Sequence, residues 1–105
     1  GDLGAKIHEI FIEQQIVETK HFISVMREQA HSSRIRLAQL NAMISEMEAM
    51  NDAKLFYDAL FCLRDDKRVE YKTLMAINDV ITKAEHKVTT KEEHLEIMKV
   101  GINPV

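Results

Sequence analysis

The chain has 105 residues, of which 46% are hydrophobic and 30% charged, and its formal net charge is -3 at pH 7. This length predicts one domain over residues 1–105, and the composition is that of a globular helical protein. Three Gly and one Pro are too few for the turns of a sheet protein. The charge gives neither a basic nucleic-acid footprint nor an acidic tail, and no apolar run approaches the roughly 20 residues of a membrane span.

The first predicted element is a long helix, from about residue 5 to about residue 50. A hydrophobic 4-3 repeat runs through it, which is the spacing with which one helix lies along another. The helix could break at Ser32 and Ser33, because serine favours helix starts, but the repeat keeps its phase there and we expect continuity. The repeat consists of Ile12, Ile16, Thr19, Ile23, Met26, Ala30, Ser33, Leu37, Leu40, Ile44 and Met47.

A second long helix is predicted over about residues 53–88. It follows a turn at residues 51–52, because Asn51 and Asp52 can stop one helix and cap the next. Asp65 and Asp66 are a possible break, but the phase again survives, so we expect one continuous helix. Its repeat consists of Phe56, Leu60, Leu63, Lys67, Glu70, Leu74, Ile77, Ile81, Ala84 and Val88.

A short third helix is predicted at about residues 91–100. Thr89 and Thr90 end the second helix, and Thr90 with Glu93 has the form of a capping box. Gly101 marks the expected C-terminal stop. The predicted fold class is therefore all-α, a long antiparallel, coiled-coil-like helical hairpin with a short C-terminal helix.

Folding the long helices about residues 51–52 aligns the weakest positions of the two repeats. Residue i then lies near residue 103 minus i, so that Ser33 faces Glu70 and Arg36 faces Lys67. We interpret the coincidence as a small polar layer that fixes register at some cost in stability. Its members are Ala30, Ser33, Lys67 and Glu70.

The N-terminal half of the first helix carries a second apolar face, which a two-helix hairpin cannot cover. This face consists of Ile10, Phe11, Val17 and Val25, and Phe22, Met43 and Met50 occupy flanking positions. We therefore expect a partner that covers it: a second copy, giving a dimeric four-helix bundle, or a helix of another protein. Neither a membrane nor a nucleic acid is the expected partner.

Two Glu-x-x-His pairs, Glu18/His21 and Glu28/His31, have a spacing known from carboxylate-bridged di-iron bundles. In those bundles the two motifs lie on different helices and point into the core. Here both pairs lie on one helix, and Glu18 and His21 face outward in the repeat. We therefore expect surface histidines, no metal site and no other cofactor.

The residues around His31, which read Arg-Glu-Gln-Ala-His-Ser over 27–32, resemble the phosphoacceptor helix of citrate- and dicarboxylate-sensing histidine kinases. The resemblance implies a dimerising hairpin that uses His31 for phosphotransfer, although the acidic residue that commonly follows the histidine is Ser32 here. A second resemblance, over residues 40–63 and 92–97, is to the helical effector domains of some bacterial transcription regulators. The histidine expected there after Phe61 is Cys62.

A basic stretch offers a further alternative, the binding of an anion or a nucleic acid. It consists of Arg34, Arg36, Arg64, Lys67, Arg68 and Lys72. Asp65, Asp66 and Glu70 lie among these residues, which favours a mutually paired surface instead. The lone Cys62 has no partner histidine in sequence and is expected to be an ordinary thiol in a cytoplasmic protein. The leading prediction is a non-enzymatic interaction or regulatory module.

Overall fold

The computed structural model describes residues 2–50 and 54–101 and contains two long helices. Helix α1 spans Asp2–Glu48 and helix α2 spans Tyr57–Val100. No strand occurs in these residues, so the predicted all-α helical hairpin is confirmed. The predicted turn at residues 51–52 and the predicted start of the second helix at residue 53 lie outside the described residues. Residues 54–56 form a turn that leads into α2.

The predicted short C-terminal helix is wrong, because α2 continues to Val100. The Thr89 hydroxyl donates to the Glu85 carbonyl at 3.1 Å, and the Thr90 hydroxyl donates to the His86 carbonyl at 3.0 Å. A threonine that bonds to the carbonyl four residues back is satisfied inside a helix, so Thr90 is not an N-cap. The 4-3 series also keeps its phase beyond Val88, through the half-buried Lys91, Leu95 and Met98.

Glycine ends α2 where the sequence predicts a stop. Gly101 has a φ of 59°, and its N–H donates to the Met98 carbonyl at 3.3 Å. A residue without a Cβ adopts this left-handed conformation without steric cost, which is why helices often end at glycine.

Two compact units are distinguished along the chain. Unit 1 comprises the described residues of Gly1–Met26 and Val80–Val105, and unit 2 comprises those of Arg27–Asp79. The buried side chains of unit 1 are Ile12, Ile16, Ile23, Ile81, Ala84 and Val88, and those of unit 2 are Ala30, Ser33, Ile44, Leu60 and Leu74. All of them belong to the two predicted repeats, which therefore form the buried seam between α1 and α2 in each unit.

Candidate interaction surface

The polar layer of unit 2 is built on a fully buried hydroxyl. Ala30 and Ser33 are 1% and 0% exposed, and the Ser33 Oγ donates to Glu70 Oε1 at 2.6 Å. Arg36 Nε donates to the same oxygen at 3.0 Å, and Arg36 Nη2 forms an ion pair with it, also at 3.0 Å. Lys67, which the sequence analysis placed in this layer, is exposed. Arg36, not Lys67, supplies the positive charge in contact with Glu70.

These contacts hold the Glu70 carboxyl in its ionised form. Its pKa is lowered by the hydrogen bond from Arg36, then by that from Ser33, and also by the Arg36 charge, while burial opposes the shift. The Glu70 side chain is only 18% exposed, and its carboxylate accepts the hydrogen bond of the buried Ser33 hydroxyl. If either helix slipped by one turn, the buried Ser33 hydroxyl would lose its hydrogen-bond acceptor. The layer therefore has the properties expected of an element that fixes the register of the two helices.

A second apolar face lies on α1 in unit 1 and is not covered by α2. We call it the outer surface, and its members are Ile10, Phe11, Val17, Phe22 and Val25. Each is exposed, as expected for residues displaced from the seam. Leu3 and Ile7, which the sequence analysis did not single out, extend the surface toward the N-terminus. The sequence contained a signal for them: positions 3, 7 and 10 have the 4-3 spacing of the seam, displaced from it by two residues.

A shallow groove adjoins the outer surface in unit 1. Its volume is about 350 Å³, and its lining includes Ile16, Val17 and Leu95. Lys99 and Glu13 pair at its edge, with Nζ and Oε1 3.0 Å apart, and the hydrogen bond to Glu13 raises the pKa of Lys99. An apolar lining with an ion-paired edge can accept an aliphatic or aromatic side chain.

Polar contacts between α1 and α2 flank the seam of unit 1. Lys91 Nζ donates to Gln15 Oε1 at 2.7 Å, and the rings of His8 and His94 meet edge to face with their centroids 6.1 Å apart. None of these contacts involves a member of the outer surface. The members of the outer surface therefore stay exposed, although His8 and Gln15 on the same stretch of α1 contact α2.

Unit 2 also exposes apolar side chains, on both of its helices. Met43 and Met50 are exposed on the α1 segment and its end, as the sequence analysis expected of interface residues. The α2 segment adds five residues that the sequence analysis missed, Tyr57, Phe61, Val69, Tyr71 and Met75. All but Val69 follow a seam residue directly, and that one-residue displacement is the signal that could have found them.

The candidate chemical residues do not converge on a site. His31, Glu18, His21 and Glu28 are all exposed on α1, and Cys62 is exposed on α2. Within residues 2–50 and 54–101, no group of three or more His, Cys, Asp or Glu side chains is arranged to hold a metal ion. Exposure is compatible with phosphotransfer at His31, but most polar residues of α1 share it.

Half of the basic stretch is already paired with carboxylates. Arg36 binds Glu70, Arg64 Nη2 lies 3.0 Å from Glu48 Oε1, and Arg68 Nη2 lies 2.8 Å from Asp65 Oδ1. These pairings agree with a mutually neutralised surface. An open groove of about 500 Å³ nevertheless brings both lysines of the stretch beside an aromatic and an apolar side chain. The groove is lined by Arg64, Lys67, Arg68, Tyr71, Lys72 and Met75.

Similarity to known proteins adds no assignment. No family model, no curated protein and no solved structure matches this chain. Neither α1 nor α2 contains an apolar stretch long enough to cross a membrane.

Proposed function

We propose that this chain is a non-enzymatic protein–protein interaction module whose outer surface binds an apolar helix face. The observation that carries the proposal is the exposure of all five members of the outer surface, among them Val17 at 67%. Exposed apolar groups that are contiguous, rather than scattered singly, usually mark an interface. The hairpin seam does not use them, so a partner can cover them without unfolding the hairpin.

The chemistry of the surface favours a helix over a small molecule as the bound partner. Ile10 and Val17 are two turns apart on α1, with Phe11 and the groove at Ile16 and Leu95 beside them. A row of apolar side chains and shallow grooves along a helix matches the 3-4 spacing of anchors on a second amphipathic helix. The partner is a second copy of the chain or a helix of another protein.

The test replaces Phe11 and Val17 together by Glu. Because each charge would have to be buried against an apolar partner face, we expect association to be abolished while the helical content is retained. The matched control places the same two charges at exposed polar positions of α1, Ser32→Glu with Gln39→Glu. Sedimentation over a concentration series measures self-association, and binding to a captured partner measures the alternative.

Two results bear directly against the proposal. One is a wild-type chain that stays monomeric at all concentrations and retains no partner. The other is a double Glu variant whose association equals that of the control. Loss of helical content in the Phe11/Val17 variant, followed by circular dichroism, would instead place these residues in the folding core.

A further inference from the structure

Helix α2 carries a second 4-3 series, exposed and directly beside its buried seam. We call it the α2 stripe, and it consists of Tyr57, Phe61, Arg64, Arg68, Tyr71 and Met75. Its order is two apolar residues, two arginines and two apolar residues. Its C-terminal part lines the groove of about 500 Å³, to which Lys67 and Lys72 add further positive charge. A partner helix with apolar ends and an acidic or polar centre would match it.

Such a series is present on α1 of the same chain. We call it the α1 stripe, and it consists of His8, Phe11, Gln15, Glu18, Phe22 and Val25. All are exposed except Gln15, which is half-buried. Three of the six are members of the outer surface. Glu18 makes no ion pair with any other described residue, so its charge is available to a partner.

We propose that two copies of this chain associate by packing the α1 stripe of one copy antiparallel against the α2 stripe of the other. The inference rests on the proposed function and names the partner, a second copy. In this register Glu18 lies against Arg64 and Gln15 lies against Arg68, so the polar centres meet. The Arg64 guanidinium has five N–H donors, so it can bind Glu18 while it keeps its pairing with Glu48.

The same register brings apolar side chains together on both sides of that centre. The apolar pairs are Tyr57 with Val25, Phe61 with Phe22, and Tyr71 with Phe11. The contact extends over residues 8–25 of α1, about 27 Å at 1.5 Å per residue. The numbers of each facing pair sum to 82 or 83, because a spacing of four on one helix meets a spacing of three on the other.

Two alignments set apolar against apolar and polar against polar side chains: the antiparallel one, and a parallel one with Glu18 on Arg68 and Gln15 on Arg64. We choose the antiparallel direction because it sets Glu18 against the less engaged arginine. Arg68 already donates to Asp65 through both Nε and Nη2, whereas Arg64 donates to Glu48 through Nη2. In the antiparallel alignment only one facing pair, Met75 with His8, combines an apolar with a polar side chain. Since the two stripes are different surfaces, the contact is heterologous, and association continues beyond two copies unless the assembly closes.

Charge reversal tests the central contact. Glu18→Arg and Arg64→Glu should each weaken self-association at least tenfold, because each places like charges opposite one another. An equal mixture of the two variants should recover association, because between unlike copies the introduced arginine faces the introduced glutamate and the native glutamate faces the native arginine. The control is Glu28→Arg, an equal reversal at an exposed residue of α1 outside the stripe, which should associate like the wild type. Sedimentation equilibrium measures all four.

Cross-linking tests the direction independently of charge. In a Cys62→Ser background, copies with Val25→Cys should form a disulfide with copies carrying Tyr57→Cys, and not with copies carrying Tyr71→Cys. The reverse preference overturns the antiparallel register. Association of the wild type that is insensitive to both reversals and gives neither cross-link overturns the proposed contact but leaves the proposed function standing. A wild type that neither self-associates nor binds a partner overturns both.

Discussion

The strongest test of the fold compares two isoleucines of α1 that differ in where they face. Ile23 belongs to the seam of unit 1 and is 5% exposed, whereas Ile10 belongs to the outer surface and is 57% exposed. Replacing each by Ala removes the same three carbon atoms and gives the same gain in helix propensity. The difference between the two variants therefore reports burial alone.

The magnitude follows from these exposures. Three buried carbons are worth about 2.4 kcal/mol at ~0.8 kcal/mol each, and the cavity left behind raises the expected cost of Ile23→Ala to about 2–4 kcal/mol. Ile10 is already more than half in water, so Ile10→Ala should cost no more than about 1 kcal/mol. Urea unfolding followed by circular dichroism measures both, at a low and a high protein concentration.

Concentration separates folding from association in this experiment. The cost of Ile23→Ala should be largely independent of concentration, whereas that of Ile10→Ala should grow with it when the outer surface is covered by a second copy. Equal costs at the lowest concentration would refute the assignment of seam and outer surface. So would an Ile23→Ala variant as stable as the wild type.

Two further predictions concern the polar layer and the C-terminal half of α2. Because contacts with Arg36 and Ser33 lower the pKa of Glu70, its stabilising effect is fully present above the ordinary glutamate value of about 4.3 and is lost as pH falls through the lowered folded-state pKa. The difference in unfolding free energy between wild type and Glu70→Gln should thus be constant near neutrality and shrink in that acidic range; a difference that grows there contradicts the assignment. Thr90→Ala should raise stability by a few tenths of a kcal/mol, because Thr90 lies inside a helix. A loss of about 1 kcal/mol in thermal unfolding would instead identify Thr90 as an N-cap.

The seam could be predicted from the sequence because its signal is redundant. Many residues share one 4-3 phase, so a polar residue such as Ser33 can still be assigned to the seam from the apolar residues before and after it. The same redundancy set the register: the pairing of Ser33 with Glu70 was expected from a turn at 51–52, and the hydrogen bond between them has the expected partners. The local motif at Thr90 and Glu93 predicts a new helix start that the phase of the repeat does not, and α2 follows the phase.

Individual side-chain positions were harder to predict for physical reasons. Lys67 occupies a seam position, but a flexible four-carbon stem lets its ammonium group reach water, so position alone did not bury it. Arg36 lies outside the seam, yet its long side chain reaches Glu70. Both cases show that a repeat fixes where a Cα lies more firmly than where a long charged side chain ends.

The function is harder to infer than the fold because the residues proposed to carry it are exposed in the described part of the chain. Ile23 can be assigned to the core from the sequence, because it belongs to the 4-3 repeat of α1 and α2 carries a matching repeat. Phe11 and Phe61 complete no pattern in either unit, and their meaning depends on a surface supplied by another molecule. The α1 and α2 stripes likewise complement each other only as surfaces of two copies, which is the contact we propose.

A two-helix hairpin has a thin core, which is a physical reason to expect folding and association to be linked in this protein. Each helix buries one narrow face, and in unit 2 that face includes Ala30 and Ser33, whose small side chains contribute little apolar area. We expect the hydroxyl–carboxylate contact at Ser33 to fix the register more than it adds stability. Additional apolar burial must then come from outside the seam, and Phe11, Phe22 and Tyr71 are the side chains placed to provide it. A partner that covered them would stabilise the folded hairpin by mass action, so the proposed interaction surfaces would add to the small apolar area that the seam buries.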